Sequence, residues 1–253
     1  MTHMSASYDP SQYPAFAVTV DVAVFTMVNN ELSLLLVKRG GQPFAGQWAL
    51  PGGFKLPNET LDQAAHRELR EETAVGSSAL LRQFGAYGDP GRDPRMNVVT
   101  VAYLAVVRDV TGVAAGSDAA EAALHPVQKV INGRLPLAFD HRRIVRDAVE
   151  HIAHDLETTG LATAFVGPTF TLTELREVFE AVWQVQLDGA NFRRKLAADG
   201  GWLVPTGQRA ASGSDGGKPA ELFKAGRGWK SGGPMRRPRQ SHTLRSHPAK
   251  SPK

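Results

Sequence analysis

Three glutamates in one short segment, Glu68, Glu71 and Glu72, are the residues best suited to chemistry. An α-helix turns by about 100° per residue, so it would place all three carboxylates within about 100° of one another. Like charges three and four residues apart repel by roughly 0.2–0.5 kcal/mol per pair, so a cation should offset them. Because Mg²⁺ and Mn²⁺ prefer such oxygen ligands, the segment predicts a divalent cation whose coordination is completed by diphosphate.

A glycine turn precedes this segment. Pro51, Gly52 and Gly53 would let the backbone approach phosphate groups closely, since glycine has no Cβ. The candidate nucleotide contacts are Arg39, Gly52 and Gly53. An alternative interpretation is an ordinary acidic surface helix with local ion pairs, but that explains a single glutamate pair better than the whole pattern.

The spacing of these residues resembles the Nudix box: Gly53, five residues, Glu59, seven residues, and then Arg67-Glu68-Leu69 with Glu71-Glu72. The resemblance implies that Gly53, Glu68, Glu71 and Glu72 hold the metal, and that Glu59 and Arg67 orient the ligands. In a hydrolase, Glu59, Arg67 and Glu71 would be the catalytic residues. The chain departs from the motif at Ala74, where the family has glycine.

The elements that must position this segment are strands and one helix. Valine-rich residues 16–28 and apolar residues 32–37 predict two strands joined by a turn at Asn29-Asn30, and residues 80–87 and 98–107 predict two more. Residues 61–73 contain good helix formers and predict a helix. We expect a flexible start at residues 1–14 and a Nudix α/β/α sandwich with a mixed sheet over residues 15–140.

The second half has a different pattern. Residues 142–156 carry an apolar stripe at helical spacing, and Thr171-Leu-Thr-Glu174 is a capping box at the start of another amphipathic helix. Asp188 can cap a short helix, and residues 202–205 and 220–224 predict a hairpin around a Gly/Ser-rich loop. Two helices followed by a hairpin predict a winged helix-turn-helix domain over residues 141–224.

Basic residues in this domain are the candidates for DNA contact. Arg193, Arg194, Lys195 and Lys218 would contact phosphates. Asn191 has two open interpretations, a local cap or a hydrogen bond to adenine in the major groove. Near the domain junction, we expect Asp140 to cap a helix and His141 to be exposed. Phe44 and Trp48 are expected to pack beneath the glycine turn.

Four segments together resemble the Nudix-related transcriptional regulators of NAD metabolism, the NrtR family. These segments are residues 137–141, 170–175, 191–195 and 217–223. The resemblance implies a homodimer that senses ADP-ribose or a related nucleotide and binds operators of NAD biosynthesis or salvage genes. Such proteins often carry Trp where this chain has Leu124. A different class, a Mg²⁺-dependent ADP-ribose pyrophosphatase, is the alternative, and the two roles can coexist.

Composition and charge limit these interpretations. The 253 residues lack cysteine, which excludes disulfides and thiolate metal sites. No apolar run approaches the ~20 residues that span a bilayer, and we expect a cytoplasmic protein. Residues 1–140 hold 11 basic and 14 acidic residues, whereas residues 225–253 hold eight basic residues and no acid. We expect this basic tail to be disordered, because ordering it would cost more entropy than burial returns.

Overall fold

The computed structural model describes residues 9–73, 81–108, 110, 119–198, 201–210, 219–227 and 235–238. The strands are β1 (Ala17–Val28), β2 (Glu31–Arg39), β3 (Trp48–Ala49), β4 (Gly52–Phe54), β5 (Arg82–Tyr87), β6 (Val98–Val106), β7 (Ala119–Pro126), β8 (Leu203–Arg209) and β9 (Glu221–Ala225). The α-helices are α1 (Leu61–Thr73), α2 (Val127–Ile131), α3 (His141–Thr158), α4 (Leu172–Trp183) and α5 (Gly189–Ala198). Two short 3₁₀ helices, Pro10–Gln12 and Leu161–Phe165, complete the elements of these ranges.

Within the described ranges, seven strands form one mixed sheet with the central order β3-β2-β1-β6-β5. β4 also pairs with β1, and β7 with β2. β1 and β6 are parallel, and the other pairs are antiparallel. The predicted turn between β1 and β2 is present: Asn29 and Asn30 both have positive φ, 49° and 62°, as a tight hairpin turn requires. Strands β3, β4 and β7 were not predicted from the sequence.

The two faces of β1 contact different helices, as the side-chain alternation of a strand requires. Val20, Val22 and Val24 pack with Ala65 and Leu69 of α1. Ala23 and Phe25 point the other way, into a core that includes α3. The predicted sandwich, with helices on both faces of a mixed sheet, is therefore confirmed.

The predicted winged helix-turn-helix is also present, as α4, α5 and the antiparallel β8–β9 hairpin. The capping box at the start of α4 is complete, since the Glu174 amide donates to Thr171 Oγ1 at 3.1 Å and the Thr171 amide to Glu174 Oε2 at 2.7 Å. The Asn191 amide donates to Asp188 Oδ1 at 2.7 Å, so Asp188 caps α5. The β8 strand continues to Arg209, beyond the predicted end at residue 205.

Helix α3 connects the two parts of the molecule. Its buried side chains, among them Ile144, Ile152 and Leu156, belong to one continuous core that reaches from the large sheet to α4 and α5. The indole N–H of Trp183, near the end of α4, donates to the Ala153 carbonyl of α3 at 3.1 Å. A displacement of α3 would therefore also affect the position of α4.

Part of the basic tail is packed. Met235 is 5% exposed and belongs to the core around α3, while Arg236 and Arg237 pair with Glu157 and Glu150 of that helix. The expectation of disorder does not hold for residues 235–238, because one apolar side chain and two ion pairs anchor them. All other residues after 227 lie outside the described part of the chain. No helix in the described ranges is long and apolar enough to cross a membrane.

Candidate functional site

Arg67 organises the acidic residues of the predicted metal segment. Its Nε and Nη2 donate to the two carboxylate oxygens of Glu59 at 3.0 and 2.7 Å. Its Nη1 donates to Glu68 Oε1 at 2.8 Å and to Glu71 Oε2 at 3.2 Å. The Phe54 carbonyl accepts a further bond at 3.1 Å. One guanidinium therefore joins three of the predicted site residues to Phe54 of β4.

The electrostatics of Glu59 and Arg67 follow from this contact. The Arg67 hydrogen bonds, with one from the Leu56 amide, lower the pKa of Glu59 to about 2. The same pairing raises the pKa of Arg67 above its usual value. Both groups are therefore charged at neutral pH, and the Arg67 fork has a fixed orientation.

The pKa values of Glu68 and Glu72 are shifted in the opposite direction to that of Glu59. Burial raises the pKa of Glu68, although Arg67 lowers it in part. Burial also raises the pKa of Glu72 to about 7, against the effect of a 2.9 Å hydrogen bond from the Gly52 amide. Neighbouring carboxylates raise both pKa values further: Glu71 and Glu59 act on Glu68, and Glu68 and Asp21 act on Glu72.

The glycine turn is packed against these carboxylates. A Cβ on Gly53 would lie 2.3 Å from Glu68 Oε1, and a Cβ on Gly52 would lie 2.2 Å from the Val20 carbonyl oxygen. No side chain fits at either position without displacing its neighbours. The turn therefore holds a close approach that only glycine permits.

Carboxylate chemistry at this site suits a hard divalent cation. Within the described ranges, however, no group of three or more His, Asp or Glu side chains is gathered closely enough to hold one. Glu71 is drawn toward Arg67 and is half exposed, whereas Glu68 and Glu72 face the glycine turn. The donor atoms fit a metal in type, and a bound cation would favour the charged forms of Glu68 and Glu72.

A cavity of about 670 Å³ lies beside the turn. The predicted residues that line it are Arg39, Gly52, Gly53, Arg67, Glu68 and Glu72. Glu59 and Glu71 are not among its lining residues; they contact Arg67 from outside. The structure thus brings the predicted nucleotide contacts and three of the four predicted metal ligands, Gly53, Glu68 and Glu72, to one cavity, which is large enough for a nucleotide.

Arg39 supplies positive charge to this cavity. Its Nε donates to the Pro43 carbonyl at 2.8 Å, and among the described residues it has no ion-pair partner. Burial and the neighbouring guanidinium of Arg95 lower its pKa. A partly buried guanidinium without a carboxylate partner is suited to bind an anionic group of a ligand.

The floor of the cavity contains residues that sequence reasoning missed or misplaced. His141 is 4% exposed: its Nδ1 accepts a 2.9 Å bond from the Leu50 amide, and its Nε2 lies 3.3 Å from Asp21 Oδ1. The prediction of an exposed His141 is wrong, because this backbone donor and Asp21 satisfy the ring inside the protein. Asp140 occupies the N-cap position of α3 without a capping hydrogen bond and instead pairs with Arg92.

Neither Phe44 nor Trp48 is among the lining residues of the cavity, and their packing beneath the glycine turn stays a prediction. Phe44 contacts the Phe139 ring edge-on, and Trp48 contacts His125. The cavity has aromatic walls at Phe54 and Phe139 instead. Sequence reasoning missed both, and the only signal for Phe139 was its place in one of the four family-like segments.

The second candidate surface is the exposed face of α5. Asn191, Arg193, Arg194 and Lys195 are all exposed, while Phe192 and Leu196 are buried in the core. Arg194 Nη2 donates to Asn191 Oδ1 at 2.8 Å, so the amide side chain is oriented by a neighbour within the helix. Lys218 and Ala74 lie outside the described residues. A capped helix with a basic outer face, followed by a hairpin, has the arrangement of a recognition helix and its wing.

Comparison with known proteins connects the two surfaces. Residues 17–148 match the Nudix domain family, and residues 162–225 match the NrtR DNA-binding winged helix domain. The ADPR responsive transcriptional repressor NtrR of Acinetobacter baylyi is 32% identical over 221 residues, which are 87% of this chain and 86% of that protein.

Two solved structures are similar as well. Shewanella oneidensis NrtR complexed with a 27mer DNA has a TM-score of 0.70 at 31% identity, covering 85% of this chain and 97% of that one. The NUDIX domain of the Shewanella protein complexed with ADP ribose has a TM-score of 0.52 at 35% identity, covering 58% of this chain and 94% of that one. The match to the whole regulator includes both the cavity and the basic helix.

Proposed function

The chain belongs to the NrtR regulators of the Nudix family, and we propose that it is an ADP-ribose-responsive transcriptional repressor of NAD biosynthesis or salvage genes. One observation carries the proposal. The same continuous core supports a cavity lined by Arg39, which has no ion-pair partner in the described ranges, and a capped helix with the exposed basic residues Arg193, Arg194 and Lys195. A nucleotide site and a DNA-binding surface are thus joined in one folded unit.

Ligand regulation requires that the nucleotide bind differently to the DNA-competent and the DNA-free arrangements. The direct test is an electrophoretic mobility shift with promoter fragments of NAD genes, with and without ADP-ribose. We expect a specific complex that ADP-ribose dissociates. Failure to bind any such promoter more tightly than unrelated DNA would contradict the regulator.

In this proposal, the winged helices of two subunits bind DNA together. Helix-turn-helix dimers contact half-sites about one helical turn apart, so the operator would be an approximate palindrome. Large exposed apolar side chains support a homodimer: Phe16 and Leu56 are 52% and 51% exposed, one just before β1 and the other just after β4, which pairs with β1 in the antiparallel direction. Light scattering of the purified chain would give the oligomeric state.

A divalent cation, Mg²⁺ or Mn²⁺, would be held by Glu68, Glu71, Glu72 and the Gly53 carbonyl. The position of Glu68 and Glu72 against Gly53 and Gly52 supports this assignment. When bound, such an ion would neutralise diphosphate oxygens. Arg67 would orient Glu68 and Glu71, and Arg39 would contact a phosphate. Replacing Glu71 with Gln should weaken metal-dependent ADP-ribose binding while the fold and operator binding remain.

The alternative, an ADP-ribose pyrophosphatase, is favoured by one specific observation: the Glu59–Arg67 pair and the carboxylates it orients are all in place. In that case Glu59, Arg67 and Glu71 would serve the hydrolytic reaction. A chromatographic assay for AMP and ribose 5-phosphate separates the two functions. Rapid metal-dependent turnover without operator binding would establish the enzyme, whereas tight binding with little turnover would support the sensor.

A further inference from the structure

Phe139 is an aromatic residue of the cavity wall that no function above has used. Its ring is half-buried, and the edge of Phe44 braces it at 4.8 Å between centroids. The Arg39 guanidinium carbon lies 4.8 Å from the ring centroid, and that of Arg95 lies 5.9 Å away. The ring thus stands between a supporting aromatic side chain and two cations at the cavity.

This arrangement suits the base of a nucleotide. Bases stack on aromatic rings and on the flat face of arginine, and the two kinds of contact often occur together. Arg95 is also held by Asp93 and lies 5.2 Å from the ring of Phe54 on another part of the wall. Glu68 and Glu72 are suited to a metal-bound diphosphate, and the aromatic residues of the lining, Phe54 and Phe139, are suited to the base.

The backbone of Phe139 is unusual as well. Its φ is +53°, in the left-handed region that residues other than glycine rarely occupy. The neighbouring hydrogen bonds hold it there, since the Ala138 amide donates to the Trp48 carbonyl at 2.8 Å and the His141 amide to the Ala138 carbonyl at 3.3 Å. Strained residues of this kind are concentrated at ligand sites and switch segments.

A change in the backbone at Phe139 would act on α3. Phe139 is followed by Asp140, the N-cap of α3, and by His141, its first residue. The far end of α3 contacts α4 through the bond from Trp183 to Ala153. The cavity wall and the helix-turn-helix are therefore connected by one helix that starts immediately after the aromatic residue.

We propose that Phe139 stacks on the base of the bound nucleotide and, as the left-handed residue that leads into α3, couples occupancy of the cavity to the position of the winged helix. The inference rests on the proposed function, and it assigns the coupling between the nucleotide site and the winged helix to one residue. Phe54 lines the cavity too, but it belongs to β4, whereas Phe139 lies two residues before the start of α3. The two aromatic residues should therefore behave differently when each is changed.

The first measurement tests the stacking contact. Calorimetry compares ADP-ribose with ribose 5-phosphate, which lacks a base, for the natural protein and for F139A, F139G and F139W. We expect F139A and F139G to bind ADP-ribose roughly 5- to 100-fold more weakly, F139W to bind it nearly normally, and ribose 5-phosphate affinity to change less than about twofold. Unchanged ADP-ribose affinity in both F139A and F139G would overturn the stacking assignment.

The second measurement tests the coupling. Operator affinity is measured without ADP-ribose and at saturating ADP-ribose, because the ratio of the two reports the coupling free energy. F54A should need a higher concentration of ADP-ribose, but at saturation its operator affinity should fall as much as that of the natural protein. In F139A and F139G, the ratio of operator affinities without and with saturating ADP-ribose should be at least about fivefold smaller. Glycine adopts positive φ readily, so F139G should fold even if F139A does not. Full release by both Phe139 variants would overturn the coupling; a natural protein that ignores ADP-ribose would instead refute the proposed function.

Discussion

Arg92 holds Asp140 through two hydrogen bonds, 3.0 Å from Nε and 2.7 Å from Nη2. The arginine side chain is only 5% exposed, and its Nη2 also lies 3.5 Å from Asp21 Oδ2 in β1. Three segments far apart in the chain thus meet at one guanidinium beneath the cavity. Because Asp140 precedes α3, this contact fixes where the connecting helix begins.

Replacing Arg92 with Ala should destabilise the protein strongly. The variant would leave Asp21 and Asp140 largely buried and without their cation, and breaking a buried ion pair in this way costs about 3–5 kcal/mol. Urea unfolding measures the change in the free energy of unfolding. As a control, Glu121→Ala removes the exposed Lys38–Glu121 pair and should cost less than about 1 kcal/mol. Equal small losses in both variants would contradict a structural role for Arg92.

Glu72 should make the stability of the ligand-free protein depend on pH. Its pKa is raised from a usual value of 4.5 to about 7, so the folded state holds the proton more tightly than the unfolded state does. The resulting stabilisation is fully present below about pH 4.5 and is lost as pH rises through about 7. Over this range, we expect the free energy of unfolding to fall by at most about 3 kcal/mol relative to Glu72→Gln.

The comparison with Glu72→Gln is needed because His141 acts in the opposite direction. Burial lowers the pKa of His141, so its contribution is present above its usual pKa near 6.5 and is lost as pH falls. Urea unfolding of both proteins at several pH values between 5 and 8 isolates the Glu72 part as a difference. Parallel curves for the natural protein and the variant would show that Glu72 does not titrate in this range.

Arg39 should contribute directly to ADP-ribose affinity. It is partly buried and lacks an acidic partner among the described residues, so a phosphate would gain a charge-assisted contact without breaking an existing ion pair. Arg39→Ala should weaken binding roughly 10- to 100-fold, which corresponds to a hydrogen bond to a charged group. Lys129→Ala removes one positive charge from an exposed position on α2 and should have little effect. Calorimetry of both variants checks the difference.

Local signals in the sequence predicted the elements that carry the site. The capping box at Thr171 and Glu174 marked the start of α4, and Asp188 marked that of α5. The resemblance to the Nudix box gave Glu59 and Arg67 a shared role, and two hydrogen bonds join them in the structure. These features were accessible because each is determined by residues within about two turns of helix or one tight loop.

The floor of the cavity could not be predicted in the same way. Asp21, Arg92 and His141 are far apart in the sequence and meet only after the sheet has formed. His141 follows an aspartate at a helix start, a context typical of exposed residues, but the Leu50 amide of a distant segment satisfies its ring. Short strands such as β3 and β4 were missed for the same reason, since pairing with β2 and β1 defines them.

The exposed face of α5 should determine operator affinity. Replacing Arg193 and Arg194 with Ala should cost about 1–3 kcal/mol of specific binding for each lost base contact, or lower the salt dependence by about one unit for each lost phosphate contact. Fluorescence anisotropy with operator DNA at several salt concentrations distinguishes these outcomes. Arg134→Ala, an exposed arginine after α2, serves as the control for lost charge. A folded double variant with normal affinity and normal salt dependence would exclude α5 as the recognition helix.

Met235 should anchor the C-terminal segment to α3. Its side chain is 5% exposed, and Arg237 Nη1 donates to Glu150 Oε2 at 2.9 Å beside it. Met235→Asp would place a charge among apolar side chains, which is costly enough to detach the segment. Trypsin should then cleave after Arg236 much faster than in the natural protein, because a bound segment resists proteolysis. Met235→Leu keeps the apolar contact and should cleave at the natural rate. Rapid cleavage of the natural protein at this bond, measured by mass spectrometry over time, would show that the segment is not held on α3.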